Sequence, residues 1–548
     1  MDKHNSESKN TENQYTLSVI NSDGQCTYSF NHGRSLLDVL VETEITLPVH
    51  CGGSGACGAC KVRIEDSPVN NPAPLEINHL SEAEIKEGIR LACQMKPRQD
   101  LTIRIINPTV ELKWDTFSDE NLPLPDSPVK PFINTGQYRF GLAIDLGTTQ
   151  IRLSLWDMHH WERITTRVCL NPQIRFGTDI LRRIITAVES KSTANRMARL
   201  CSDIIGEALK DLEGFKGFRI KDIGPVVIVG NTAMLTILSG KNYELLLLPD
   251  YWMKKINCQL DNIHALQSPF TIGKKVWINM VPPIAGFVGS DLLAAIIASR
   301  MNLDYECALL IDFGTNSEIA LWDGQGFWVT SAAGGPAFDG CGISCGMQAG
   351  LGAICRIKNQ ADGTGFVYDV IGSGIPRGIC GSGLVDAVAV LLQKGMLMPS
   401  GKFKGDVKSK LLVAIDGKQG IQLKNRDIDT FQRAKAAIGT GVACLLSKAG
   451  VPMGKLQHVF VCGAFGQHLN IQNAKAIGLL PDIPDDRFEI FGNAALSGCE
   501  QLMLAENWKE IVDSIKKRIN MVDLAQNLFF ETSFVDHLFL CPANQGDQ

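Results

Sequence analysis

AIDLGTTQIRLSLWD at 143–157 and LIDFGTNSEIALWD at 310–323 are two versions of one segment. Each runs an apolar strand into Asp-x-Gly-Thr and then into a second β-rich strand, so each reads as a hairpin with a polar, glycine-containing tip. In the first copy Ile151, Leu153 and Leu155 alternate with Arg152, Ser154 and Trp156, as the period of two requires. The second copy is one residue shorter. Asp145 and Asp312 stand 167 positions apart (312 − 145), with helical patterns between them at Thr193 to Leu212 and Ser290 to Met301. The expectation is a duplicated α/β architecture of two related subdomains.

The tips are Asp145-Leu-Gly147-Thr148-Thr149 and Asp312-Phe-Gly314-Thr315-Asn316. Glycine lets backbone amides approach phosphate oxygens, and the hydroxyls beside it add hydrogen bonds. Mg²⁺ takes oxygen ligands and keeps several waters, so two aspartates arriving from opposing subdomains can grip it through those waters. One such tip is weak evidence; two, each ending an apolar strand, are strong.

This pattern resembles the superfamily of actin, sugar kinases and heat-shock chaperones, whose two phosphate loops and later adenosine loop close around ATP. HVFVCGAFGQHL at 458–469 supplies the third element, an apolar strand opening into Gly463, Ala464, Phe465 and Gly466, whose small residues leave room for a nucleoside. In that superfamily a helix before the second phosphate loop carries an acidic residue near the attacking water, and Asp291 of GFVGSDLLAAIIASRMNL matches it. Asp291 could orient water or hold the magnesium shell, or simply favour a helix start through the dipole. Gly334 and Gly335 of SAAGGPAFDG could bind phosphate or form a structural turn.

Upstream, HCGGSGACGACKV sets Cys51, Cys57 and Cys60 at C-x5-C-x2-C, and Cys93 follows in RLACQ. A diiron cluster needs four thiolates, and Gly52, Gly53, Gly55 and Gly58 would let the loop wrap it. Ser81 and Glu84 form a capping-box pattern that predicts a helix ending just before Cys93. Zinc knuckles usually show paired Cys-x2-Cys units instead. The spacing has one residue more than the plant-type C-x4-C-x2-C and looks like the adrenodoxin-like variant of a β-grasp, ferredoxin-like α+β domain.

Composition narrows the partners. The 548 residues carry a net charge of −5, with no basic block of the kind that grips nucleic acid. No run approaches a membrane span and the polar N-terminus has no signal-peptide core, so a soluble, cytoplasmic protein is expected. Seventeen cysteines then point to thiols and metal ligands rather than disulfides. The organisation read from these features is a disordered tail at 1–13, a [2Fe–2S] ferredoxin-like domain at 14–107 and a linker at 108–137 holding Pro108, Pro123, Pro125, Pro128 and Pro131. ATPase subdomains follow at 138–300 and 301–530, with a tail at 531–548.

CGGSGACGAC, AIDLGTT, VGNTAM (229–234), PPIAGFVGSD (282–291), LLIDFGTNSEIAL (309–321), GPAFDG, GICGSGLVDA (378–387) and AKAAIGTG (434–441) together resemble the ATP-dependent reductive activators of corrinoid proteins. The resemblance spans about residues 15 to 500 and implies a [2Fe–2S] cluster, ATP and Mg²⁺ as cofactors. It further implies one-electron reduction of Co(II) to Co(I) on the corrinoid-binding protein of a methyltransferase system, fed by a low-potential electron donor. A plant-type cluster sits near about −400 mV, and Co(I) formation generally needs a stronger reductant, which is why ATP would be required. Oligomeric state stays open, a homodimer included. Alternative readings are a redox-regulated metabolite kinase, an ATP-driven donor to another low-potential acceptor, and a chaperone-like ATPase, for which too little chain follows Ser497.

Overall fold

The computed structural model describes residues 14–21, 24–43, 45, 47, 53, 55, 58–66, 71–106, 112–117, 138–177, 179–260, 270, 276–360, 365–405, 409–415, 418–466 and 468–543. Contacts divide the chain into two compact units, Met1–Leu112 with Gln173–Arg183, and Lys113–Pro172 with Ile184–Gln548.

The first unit holds β1 (Gln14–Asn21), β2 (Gly24–Asn31), β3 (Lys61–Ile64), β4 (Ile89–Leu91) and β5 (Leu101–Ile105) in the sheet order β2-β1-β5-β3-β4. β1 and β2 form an antiparallel hairpin, and β1 runs parallel to β5 with Leu17 opposite Leu101 and Val19 opposite Ile103. Alternation in β1 turns Leu17 and Val19 inward. There they join Leu36, Leu40, Val62, Leu91 and Ile103 in one core, each such side chain contributing roughly 1.5–3 kcal/mol on burial. Helix Leu36–Val41 covers that core and is started by a Ser35/Asp38 capping box. This is the expected β-grasp arrangement.

The route to Cys93 differs from the expected helix. The Ser81/Glu84 capping box forms, but its helix spans only Glu82–Lys86. Gly88, with φ +80°, turns the chain into β4, whose three residues are all buried. A strand bonded to β3 therefore delivers Cys93, because Ile89 and Leu91 gain more from the sheet core than from extending a short exposed helix.

In the second unit, two six-stranded sheets share one topology. The first comprises β6 (Asp115–Thr116), β7 (Phe140–Leu146), β8 (Gln150–Asp157), β9 (Glu162–Leu170), β10 (Ile223–Gly230) and β11 (Trp277–Met280), ordered β11-β10-β7-β8-β9-β6. The second comprises β12 (Ala308–Phe313), β13 (Ser317–Trp322) and β14 (Phe327–Ala332). After β15 (Ala353–Asn359), β16 (Phe366–Val370), β17 (Gly378–Ile379), β18 (Ser409–Ile415) and β19 (Lys418–Lys424), which form two smaller sheets, come β20 (His458–Cys462), β21 (Phe488–Gly492) and β22 (Ile519–Met521). Its order is β21-β20-β12-β13-β14-β22, the same scheme as the first. The repeat seen in sequence is thus a repeat of topology. Parallel neighbours such as β7/β10 and β12/β20 need crossovers, which helices Lys191–Asp211 and Asn425–Ala449 help to provide. β7 and β10 are buried at every residue, which explains why Asp145 is the one charged residue in their runs.

Helix Ala494–Leu504, from the second half, ties the halves together. A Cβ on Gly498 would lie 1.8 Å from the Ala294 carbonyl oxygen, so only glycine permits its contact with helix Ser290–Ser299. Buried Glu500 accepts from Arg163 at 2.6 and 2.8 Å and from Trp156 Nε1 at 3.0 Å.

Two boundaries shift. Residues 115–116, inside the expected linker, pair with β9 as an edge strand, and Trp114 Nε1 donates to the Ile204 carbonyl at 2.9 Å. The expected tail from 531 instead continues helix Leu528–Leu538. Gln432 Nε2 and Lys435 Nζ, from helix Asn425–Ala449, hold the carbonyls of Leu538 and Phe539 at 2.7 and 2.6 Å. Among the described residues, no helix is long and apolar enough to cross a membrane.

Candidate functional site

Both tips form at the ends of β7 and β12, and they meet: Thr149 Oγ1 lies 3.1 Å from Thr315 Oγ1. Each glycine amide closes its own turn, Gly147 N–H to the Gln150 carbonyl and Gly314 N–H to the Asn316 carbonyl, both at 3.1 Å. These two glycine amides therefore shape the tips.

The first tip is braced by its own half. Asn171 Nδ2 donates to the Gly147 carbonyl at 2.8 Å, and Asn231 Nδ2 to Thr148 Oγ1 at 2.8 Å. Asn231 also caps helix Thr232–Ser239, accepting from Met234 N–H. The second tip is braced from beneath. A Cβ on Gly335 would lie 2.1 Å from the Gly314 carbonyl, and one on Gly463 would lie 2.8 Å from Asp312 Oδ1. Gly334 packs against the Ala434 carbonyl and Ile438, and Gly466 against Val461. Gly335 is thus packed against the second tip, while Gly334 lies against helix Asn425–Ala449. Phe465 packs against Phe338 in a tilted pair and edge-on against Phe313, with ring centroids 4.8 and 5.1 Å away.

Four carboxylates converge here. Asp145 and Asp312 end the first strand of each hairpin, Asp291 opens its helix, and Glu318 stands on β13 directly opposite Asp312. Burial pushes Asp312 up to about 7, aided by Asp145 and opposed by Arg152. Burial, then Asp145 and Asp312, pushes Asp291 up to about 7. Glu318 is raised well above the carboxylate range by burial, then by Asp291 and Asp312. Asp145 is raised by burial, with Arg152 and an Asn493 hydrogen bond opposing. Among the described residues these carboxylates do not gather into a direct metal-binding cluster, but acidic oxygens that interact around the two tips suit a magnesium ion that keeps its waters and is carried on phosphate, so the residues fit Mg-ATP. Arg152, Asn171, Asn231, Asn493 and Glu318 were not singled out from sequence for this site. Asn231 and Glu318 do lie inside quoted motifs, and pairing register is the signal that would have found Glu318 and Arg152.

In the first unit, Cys51 and Cys57 lie outside the described residues. Cys60 and Cys93 are buried, 1% and 8% exposed. They are brought close by the sheet, with Ala92 N–H on the Cys60 carbonyl at 2.9 Å. Gly53, Gly55 and Gly58 have φ of +90°, +85° and +65°, the loop geometry that bulkier residues resist. Gln94 Nε2 lies 3.4 Å from both Cys93 Sγ and the Gly53 carbonyl, a donor beside the buried sulfur. Two buried thiols beside a left-handed glycine loop fit a diiron cluster.

Comparisons agree with this division. The family descriptions that match are "2Fe-2S iron-sulfur cluster binding domain" at 20–98, "RACo middle region" at 140–304 and "C-terminal domain of RACo the ASKHA domain" at 306–546. A "Corrinoid activation enzyme RamQ" of Eubacterium limosum is 30% identical, covering 73% of this chain and 70% of its own. A "[Co(II) methylated amine-specific corrinoid protein] reductase" of Methanosarcina barkeri is 26% identical, covering 75% and 77%. The solved structure of a "Reductive activator for corrinoid,iron-sulfur protein" superposes with a TM-score of 0.65 at 25% identity, covering 97% of this chain and 99% of that one.

Proposed function

The chain belongs to the family of ATP-dependent reductive activators of corrinoid proteins, and on that premise we propose how its residues share the work. It is an ATP-using electron-transfer enzyme with a [2Fe–2S] cluster, ATP and Mg²⁺ as cofactors, and its substrate is a corrinoid protein whose Co(II) it reduces to Co(I). Cys51, Cys57, Cys60 and Cys93 hold the cluster, which when bound supplies one electron at a time. That electron enters Co(II), and a low-potential donor restores it. Thr148, Thr149, Thr315 and Asn316 offer hydroxyls and amides to the phosphates, Asp145, Asp312 and Asp291 hold magnesium's waters, and Gly463 to Gly466 flank the nucleoside.

The observation that carries this reading is the meeting of the two tips at 3.1 Å amid buried carboxylates, in one chain with a cysteine-bearing β-grasp unit. Closing or opening the two halves around ATP changes the surface offered to a partner, which is how hydrolysis can drive an uphill electron transfer. The test is anaerobic visible spectroscopy of a Co(II) corrinoid protein with this protein and a low-potential reductant. Co(I) should form with Mg-ATP and not without it; no Co(I) across a panel of corrinoid proteins, despite ATP hydrolysis, would overturn the reading.

A further inference from the structure

The hairpins treat their aspartates in opposite ways. On β8 the residue opposite Asp145 is Arg152, whose Nη1 lies 3.8 Å from Asp145 Oδ2. On β13 the residue opposite Asp312 is Glu318, a second carboxylate on a fully buried strand that is apolar from Ile319 onward. Like charges set directly opposite destabilise a sheet, and a buried carboxylate costs more still. Local packing gives no reason for it.

Position does. Glu318 is 9% exposed, and Ser331 Oγ donates to its Oε1 at 3.4 Å. Its Oε2 points to the second tip, 3.9 Å from where a Gly314 Cβ would stand. Asp291, by contrast, turns back on its own helix: Oδ1 accepts from Leu292 N–H at 2.9 Å and would touch a Cβ on Gly289 at 2.4 Å. Asp145 faces the Arg152 guanidinium at 3.8 Å. Glu318 thus has one oxygen anchored and the other directed at the phosphate tip.

We propose that Glu318 is the catalytic base of ATP hydrolysis, taking the proton of the water that attacks the terminal phosphate. This rests on the Mg-ATP reading above. The water oxygen bonds to the terminal phosphorus as the bond to the β–γ bridging oxygen breaks. ADP leaves with that electron pair, and the water's proton passes to Glu318 Oε2 and from there to solvent. Burial and its acidic neighbours incline Glu318 toward the protonated form in the nucleotide-free protein, and it acts as the carboxylate once a bound cation has offset that negative surrounding. Asp291 and the two hairpin aspartates are left to hold magnesium's waters.

The test compares full-length wild type with Glu318→Gln and Glu318→Asp, measuring phosphate release, Mg-ATP affinity by calorimetry and thermal midpoint. Glu318→Gln should lower hydrolysis at least about 100-fold, leave the Kd for Mg-ATP within about threefold and not lower the midpoint. Glu318→Asp, with its carboxylate withdrawn by one methylene, should lose about tenfold or more in hydrolysis with affinity kept. Hydrolysis by Glu318→Gln close to wild type, or a loss of affinity that parallels the loss of rate, overturns the assignment. Wild type that fails to bind Mg-ATP overturns the nucleotide reading beneath it.

Discussion

The hairpin at β7/β8 and the hairpin at β12/β13 descend from one pattern yet carry opposite electrostatics. In the first, four residues separate Leu146 from its partner Ile151, and Asp145 faces a cation; in the second, three separate Phe313 from Ser317, and Asp312 faces Glu318. The missing residue is the whole length difference between the two sequence copies. The first hairpin is balanced internally, and Asn171, Asn231 and Asn493 tie it to its surroundings. The second sets two carboxyls face to face, and burial inclines both toward holding a proton until a cation takes its place at Asp312. On the proposed assignment of Glu318, the first hairpin is the support and the second the reactive side.

Making the hairpins alike is the strongest way to break this contrast. Arg152→Glu would set a carboxylate opposite Asp145, whose side chain is 8% exposed. Losing a buried charge's partner costs about 3–5 kcal/mol, so a denaturant melt of the nucleotide-free protein should show a loss of that order. A loss below about 1 kcal/mol would mean that Arg152 is screened by water rather than paired.

A smaller effect sharpens it. Asp312 is pushed from an ordinary 3.8 up to about 7 in the nucleotide-free protein, chiefly by burial. Between those values the native state holds more protons than the unfolded chain, so stability falls as pH rises through that window. The loss from about pH 5 to 7.5 should be on the order of 1 kcal/mol, allowing for solvent around the site. Saturating Mg-ATP should flatten the slope, since the cation replaces the proton. Thermal midpoints across pH, with and without Mg-ATP, check this; a rise with pH in the nucleotide-free protein would contradict it.

What was legible follows the range of the forces involved. The phosphate tips were visible because apolar strands and Asp-x-Gly-Thr are local patterns, and the cysteine loop because four ligands impose a spacing. Glu318 and Arg152 read as ordinary polar positions, since only strand register shows which aspartate each one faces. The helix expected before Cys93 failed because a three-residue strand gained a sheet core that local propensity cannot register. The stretch from 531 looked like a tail because the partners of its Leu538 and Phe539 carbonyls, Gln432 and Lys435, lie about a hundred positions upstream. Lys435, fully buried on a helix, was the sequence's unread hint that a distant carbonyl must come to meet it.

The central claim, that this unequal pair of hairpins drives electron transfer from the cysteine unit, is tested most directly with Asp312→Ala. Loaded with its cluster and mixed anaerobically with a Co(II) corrinoid protein, a low-potential reductant and Mg-ATP, the variant should keep the cluster's visible spectrum and yield no Co(I), while wild type yields it. Co(I) formation by Asp312→Ala at the wild-type rate would contradict the account.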